Sequence, residues 1–311
     1  MTVDTLSGSF PRRAAALGIG LFAVLLVAMG CDSQDLGDAN PETPTVTEIA
    51  TNVQALNTFG EALQVVGPSN VLTGSAPYTV FAPLNSAFEP GIVLGGNMGV
   101  LRKVLQHHVV DGDSLKAADL SDGTTVQPLA GDPLTIGVGD DVTVNRVTVT
   151  NPDVSAQEGI VHVVDGLLAD AVDRATLTPQ FTIFARLVKE AGLEAALRAS
   201  GANDGRTIFA PTNDALLDAL DSNGNGEVES GEIPSNASSI LQYHVLDSVF
   251  LAGDVPESET AVQTLEGTDV TVVRSGSNVT LNPNNENASV TIPNVEVDNG
   301  VIHGIDTVLT P

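Results

Sequence analysis

The chain reads as an α+β protein made of two tandem domains, and three observations carry that reading. The first is a duplication. Tyr78-Thr-Val-Phe-Ala-Pro-Leu-Asn-Ser-Ala-Phe88 returns as Arg206-Thr-Ile-Phe-Ala-Pro-Thr-Asn-Asp-Ala-Leu216, Val104-Leu-Gln-His-His-Val-Val110 returns as Ile240-Leu-Gln-Tyr-His-Val-Leu246, and Gly159-Ile-Val-His-Val-Val-Asp165 returns as Gly300-Val-Ile-His-Gly-Ile-Asp306. The second is that helical and strand periodicities are interleaved within each copy. The third is spacing. Thr79 and Thr207 lie 128 positions apart, His108 and His244 136, His162 and His303 141. That is the length of a domain rather than of a solenoid unit of about 20–50 residues. The rising separation places extra residues in the second copy, first between Asn213 and His244, then between His244 and His303.

Residues 1–30 read as an export signal, with Arg12-Arg13 ahead of a short apolar run from Ala14 to Met29. Ala28-Met29-Gly30-Cys31 resembles a bacterial lipobox, with Ala28 in place of the usual Leu. Cys31 is the sole cysteine, so no intramolecular disulfide is possible, and lipidation would give it a purpose. The acidic, proline-bearing segment 31–45 cannot bury a core and is expected to be a flexible tether.

The first domain is expected over 46–170. Leu56, Phe59, Ala62, Leu63 and Val66 share one face of a helix spanning Val53 to Val66. Tyr78 to Ala82 is a strand that Pro83 ends, and Met98 to Val109 a second helix. A loop covers Asp113 to Asp119. Leu134–Val138 and Val142–Asn145 alternate around Gly139-Asp-Asp, a hairpin signal. Ile160 to Val164 closes the copy, and Ala169 to Thr178 reads as the link. The second domain, over 176–311, follows the same plan: a helix over Phe181 to Leu197, a strand over Arg206 to Ala210, a short helix over Ser238 to Val245, and a hairpin from Val270–Val273 and Val279–Leu281.

These boxes resemble the fasciclin (FAS1) domain. Thr207 to Asn213, Leu241 to Val245 and Asn299 to Asp306 fit its three boxes closely. The first copy departs at Leu84, His107, Glu158 and Ile160. The resemblance covers roughly residues 46 to 311. It implies a compact β-wedge or sandwich with small helices on one flank, acting in adhesion through protein–protein or protein–carbohydrate contact. It also singles out a Tyr-His pair in the middle box for partner binding. Tyr243-His244 matches that pair, whereas His107-His108 does not. Integrin binding, known for animal relatives, is not carried over to a chain with a bacterial lipobox.

The charge narrows the partners. The chain has 39 acidic and 12 basic residues, a net charge of −27. Removing residues 1–30 takes away one Asp and two Arg and leaves −28. Only Lys103, Lys116 and Lys189 are lysines. Such a surface disfavours nucleic acid and direct docking on anionic lipid, and its self-repulsion predicts a soluble monomer. Contact with a membrane is expected through the N-terminal lipid alone.

The extra residues of the second copy hold the sharpest motif. Asp221-Ser-Asn-Gly-Asn-Gly-Glu-Val-Glu-Ser-Gly-Glu232 fits the twelve-residue EF-hand loop. Asp221, Asn223 and Asn225 would supply side-chain oxygens to Ca²⁺. Gly226 makes the sharp turn, Glu227 gives its carbonyl, Glu229 acts directly or through water, and Glu232 closes the shell. Two amides in place of carboxylates push the expected affinity towards the weak extracellular range, about 10⁻⁴–10⁻³ M.

Four of the five histidines, His108, His162, His244 and His303, fall at equivalent places in the two copies, which structural duplication explains without chemistry. No zinc spacing joins them. Gly112-Asp-Ser-Leu115 spells a hydrolase-like tetrapeptide, but it sits in a loop that the repeat uses structurally. Asn236, Asn278 and Asn287 head sequons that a bacterium leaves silent. The expected function is a surface-anchored binding module, not an enzyme. The rival is a periplasmic ligand carrier or hydrolase using the His-bearing loops, for which a perturbed His in a concave pocket would speak.

Overall fold

The computed structural model describes residues 43–92, 94–199, 205–282, 285 and 287–311. The signal, Cys31 and most of the tether lie outside them. Residues 42–311 form one compact unit that holds both repeats.

Thr45 starts the first domain. Its hydroxyl accepts the Glu48 N–H while the Glu48 carboxylate takes the Thr45 N–H, a capping box that opens helix α1 (Val46–Asn52). The helix expected over 53–66 is divided into a 3₁₀ turn, Gln54–Leu56, and α2 (Asn57–Val66). Asn85, from the turn after the next strand, holds that junction. Its Oδ1 accepts the Thr58 N–H at 3.0 Å and its Nδ2 donates to the Gln54 carbonyl at 2.8 Å. Gly67 then turns the chain at φ +89° into α3 (Pro68–Val71).

Strand β1 (Tyr78–Pro83) is buried along its whole length. Helix α4 (Met98–His107) follows, and the last residues expected to be helical instead open β2 (Val109–Asp111). Then come β3 (Thr125–Val126), β4 (Leu134–Val138), β5 (Val142–Val144), β6 (Val147–Ala156) and β7 (Gly159–Val164).

The second domain repeats the plan with α5 (Ala171–Leu177), a 3₁₀ turn Pro179–Phe181, α6 (Thr182–Glu190), α7 (Glu194–Arg198), β8 (Arg206–Pro211), α8 (Asn213–Leu220), α9 (Ala237–Tyr243), β9 (Val245–Leu246), β10 (Thr260–Gln263), β11 (Asp269–Ser275), β12 (Asn278–Leu281), β13 (Ala288–Val297) and β14 (Gly300–Ile305). Gly192, at φ +69°, breaks the helix expected over 181–197. Asn213 repeats the role of Asn85. It accepts the Ile183 N–H at 3.0 Å and donates to the Pro179 carbonyl at 2.8 Å.

The segment expected to be a link is therefore the first helix of the second domain. Ala171, Val172 and Ala175 of α5 pack in that domain's helical core with Phe181, Phe184 and Ile302. Each domain's closing turn grips its own first helix. Glu158 accepts the Val46 N–H at 3.0 Å, and Asn299 accepts the Ala171 N–H at 2.9 Å.

Both sheets have seven strands in the same order: β2-β1-β7-β6-β5-β4-β3, and β9-β8-β14-β13-β12-β11-β10. At the centre of each, a parallel pair joins the first box to the last, with Phe81 opposite His162 and Phe209 opposite His303. The other pairings are antiparallel. Each sheet curls until its edges meet. Val110 bridges Pro128 and Leu246 bridges Thr264, so the wedge is nearly closed and little edge is left to pair with another chain. Two apolar clusters flank each sheet. In the first domain, Val80 and Ala82 face the helices, while Phe81 faces the wedge interior with Leu134, Ile136 and Val164.

Candidate functional site

The polar residues of the repeated boxes are used by the fold, in the same way in both copies. Thr79 Oγ1 donates to the Asp113 carbonyl at 2.8 Å and accepts the Leu115 N–H at 2.9 Å. Thr207 does the same with Ser248 and Phe250. The tetrapeptide at 112–115 is thus held at both sides of Ser114 by a structural threonine.

The duplicated histidines fill two structural roles. His108 Nδ1 donates to the Val104 carbonyl at 2.8 Å, and Nε2 accepts the Leu168 N–H at 2.9 Å. His244 repeats this with the Ile240 carbonyl and the Leu309 N–H. Accepting at Nε2 fixes the neutral ring with its proton on Nδ1. Burial pushes the His108 pKa down to about 3, which agrees with that form.

His162 and His303 take the opposite tautomer. Bulges in β6 and β13 put Asp153 and Asn294 in the left-handed region, at φ +61° and +55°, and detach their N–H groups from the ladder. His162 Nδ1 accepts the first at 3.3 Å and His303 Nδ1 the second at 3.1 Å. Each Nε2 donates to a loop carbonyl, Leu115 or Phe250. The rings stack on Phe81 and Phe209, with centroids 5.7 and 5.9 Å apart. Burial holds the His303 pKa below the ordinary value.

Tyr243 and His244 are both buried, at 4% and 0% exposure. The Tyr243 hydroxyl donates to the Asp269 carbonyl at 3.0 Å and accepts from Asn282 Nδ2 at 3.1 Å. The pair singled out for partner binding thus faces the core of its own domain.

The acidic loop of the second copy lies on the surface between α8 and α9. Asp221 accepts the N–H groups of Gly224, Asn225 and Gly226, and Gly224 and Gly226 turn the chain at φ +74° and +81°. Glu232 reaches back to the N–H groups of Ser222 and Glu229. These hydrogen bonds hold both carboxyl pKa values below the ordinary range. Asn225 Oδ1 takes the Glu227 N–H, and Asn223 and Asn225 turn their amide nitrogens to Glu229. Val228 is buried, and Arg186 donates to its carbonyl, which fastens the loop to α6. The loop thus brings Asp221, Asn223, Asn225, Glu229 and Glu232 together. Even so, among the described residues no three acidic, His or Cys side chains converge closely enough to hold a metal ion. Cys31 lies outside the described residues. No helix among them is long and apolar enough to cross a membrane.

Sequence reasoning missed a polar seam where the two domains meet. Asp170 caps α5 by accepting the Val172 and Asp173 N–H groups, and it pairs with Lys103 of α4 at 3.5 Å and with Arg198 of α7. Asp173 pairs with Lys103 at 2.6 Å and with Arg198 at 2.9 Å. His107 meets Asp298 at 2.9 Å, and all these residues line a polar cavity of about 160 Å³. Close by, Arg174 is 1% exposed. It donates one N–H to the Glu89 carbonyl, and its Nε and Nη1 have no partner among the described residues. Burial lowers its pKa to about 10. No sequence motif signals these contacts, because Lys103, His107 and Glu89 of the first domain meet Asp170, Asp173, Asp298 and Arg174 of the second.

Two curled α+β wedges of identical strand order follow one another along the chain, which defines a tandem domain pair. The fasciclin domain matches residues 54–170 and 179–311, and the chain belongs to that family. Stabilin-2 of Rattus norvegicus is 32% identical over 261 residues, which cover 76% of this chain and 18% of that protein. An uncharacterized protein of Synechocystis sp. is 35% identical over 130 residues, 40% of this chain and 97% of its own length. The chain spans less than a fifth of the stabilin-2 proteins it matches. A solved FAS1 domain pair from the insect cell adhesion molecule Fasciclin I aligns over 83% of this chain and 97% of its own, at 21% identity and a TM-score of 0.40.

Proposed function

We propose that the protein is a binding module of the adhesion type, held outside the cytoplasm by a lipid on Cys31 and contacting a surface protein or polysaccharide. What carries the reading is that both copies use the polar groups of their shared boxes to build the scaffold. The loops outside those boxes are then what is offered to a partner. Fasciclin-family membership over both copies supports it. Tyr243 and His244 act in this reading by holding the second domain's core, not by touching the partner. One experiment tests binding and anchor separately. Cells expressing the chain should adhere to immobilised envelope protein or polysaccharide. Cys31→Ser should move the chain to the soluble fraction, where it still binds the same surface. A mutant that stays in the membrane removes the anchor. Failure of both forms to bind removes the adhesion reading.

We also propose that the loop over 221–232 takes Ca²⁺, with Asp221, Asn223, Asn225, Glu229 and Glu232 as side-chain ligands and the Glu227 carbonyl as a backbone ligand. The turn geometry at Gly224 and Gly226 and the seating of Val228 support this. The ion would offset the repulsion among the loop's carboxylates and fix the chain between α8 and α9. Binding to the folded state alone stabilises it in proportion to the logarithm of ligand over Kd. Millimolar Ca²⁺ should therefore raise the melting temperature by several degrees, and Glu232→Gln should remove the rise. Mg²⁺, which prefers a tight octahedron, should act poorly. Superimposable calorimetric traces in EDTA and in Ca²⁺ would show the loop to be an acidic turn and nothing more.

A further inference from the structure

The first copy departs from the family's middle box at His107, and that residue crosses to the other domain. Its equivalent, Tyr243, bonds within its own domain, to Asp269 and Asn282, among the described residues. His107 sits at the end of α4. Its Nδ1 lies 2.8 Å from the Ala130 carbonyl of the first domain, and its Nε2 lies 2.9 Å from Asp298 Oδ2 of the second. Both partners are acceptors. A neutral imidazole can donate to only one, and its other nitrogen would set a lone pair against an oxygen. Only the imidazolium, a donor at both nitrogens, satisfies the contact.

We propose that His107 and Asp298 form a proton-dependent latch that aligns the two domains only while the ring is an imidazolium.

The neighbourhood is arranged for this. Gly131, at φ +90°, passes so close that a Cβ there would collide with His107 Nδ1, so the ring is held from that side by backbone. Asp298 belongs to the turn that seats α5. Its N–H donates to the Ala169 carbonyl, and its neighbour Asn299 takes the Ala171 N–H and donates to the Leu197 carbonyl. A change at the ring therefore reaches the first helix of the second domain.

Asp298 and Lys103 are the charges that act on the ring, and other charged groups share its cavity. Lys103 lies one turn earlier on α4 but is spent on Asp170 and Asp173, with Arg198 of α7 completing that group. Asp132, in the loop after Ala130, lines the same cavity. His108, next along the chain, is neutral and turned to Val104 and Leu168. Burial opposes the charge on His107. The hydrogen bond and charge of Asp298, helped by the Ala130 carbonyl, outweigh it and hold the pKa above the ordinary value of about 6.5, against a smaller pull from Lys103. A raised pKa in the folded state means that the latch's stabilisation is fully present below about pH 6.5. It is lost as pH rises through the folded value. The latch opens on the alkaline side.

The test follows the imidazole nitrogens of the full chain by ¹⁵N NMR from pH 5 to 9, with amide hydrogen exchange at Ala171 and Asp298 over the same range. His107 should stay doubly protonated past pH 6.5 while His108 is neutral throughout. Protection at the two amides should fall as His107 loses its proton. Asp298→Asn should bring the His107 titration down to or below the ordinary value and remove the pH dependence of the exchange. A His107 that is neutral at pH 6 overturns the proposal. So does an unchanged titration in Asp298→Asn, or exchange that ignores the titration.

Discussion

Gly300→Ala is expected to abolish folding of the second domain. Gly300 stands opposite Arg206 in the central parallel pair, at φ +150°, and its Cα lies against the Arg206 backbone. A Cβ would fall inside the van der Waals radii of the Arg206 carbonyl oxygen and amide nitrogen. Neither can retreat, because β8 is held between β14 and β9. Both the clash and the φ value penalise any side chain, and the cost should be about 4 kcal/mol or more. Gly159 makes the same approach to Tyr78 in the first domain. Urea unfolding followed by circular dichroism checks the prediction. Wild-type-like midpoints for Gly300→Ala would show that the parallel pair has slack that the geometry denies.

Asp173→Ala should cost about 1–2 kcal/mol, because it leaves Lys103 and Arg198, both partly exposed, with Asp170 alone between them. The Asp173 side chain is 5% exposed, but Lys103 and Arg198 are 39% and 27% exposed, so water offsets part of the loss. The two carboxyls divide the work. Burial resists ionisation of both. The hydrogen bonds and charges of Arg198 and Lys103 nonetheless hold Asp173 below the ordinary carboxylate range, while burial and its neighbour's charge hold Asp170 above it. A depressed pKa gives stability that is present above about pH 4 and lost as pH falls through the folded value. The mutant should therefore be less acid-labile than the wild type, relative to its own stability at pH 7. Thermal melts at pH 3, 5 and 7 measure this, and parallel losses in both proteins would count against the assignment.

The parts of the fold legible in the sequence were those with one dominant period. β1, β7, β8 and β14 are apolar and written twice, and the cores of α4 and α9 follow 3.6-residue spacing. β6 and β13 were not legible. Each spans ten residues, is buried mainly at its ends or in scattered positions, and carries Pro152 or Pro293 beside its bulge, so it shows neither alternation nor an uninterrupted ladder. Helix α5 reads as a link in the sequence because it is a single short stretch whose partners, from Glu89 to Ile302, lie far from it on both sides. The structural roles of the histidines followed from their duplication. The seam did not, because His107 and Asp298 are 191 positions apart and His107 stands where the second copy has Tyr243, so the repeat gives no sign of its partner.

The grip of each closing turn on its own first helix also decides how a domain carries load. The chain enters the first domain at residues 44–46, pinned there by Gln157 and Glu158, and leaves from the end of β7. It enters the second domain at residues 169–171, pinned by Asp298 and Asn299, and runs out past the end of β14. In both cases the turn that pins the entrance is the one that begins the exit strand. Tension along the chain therefore runs lengthwise through β7 and β14, each flanked by two paired strands. It loads their ladders in shear, where many hydrogen bonds share the force, rather than peeling them one at a time. A domain held this way resists extension until a whole ladder gives way at once.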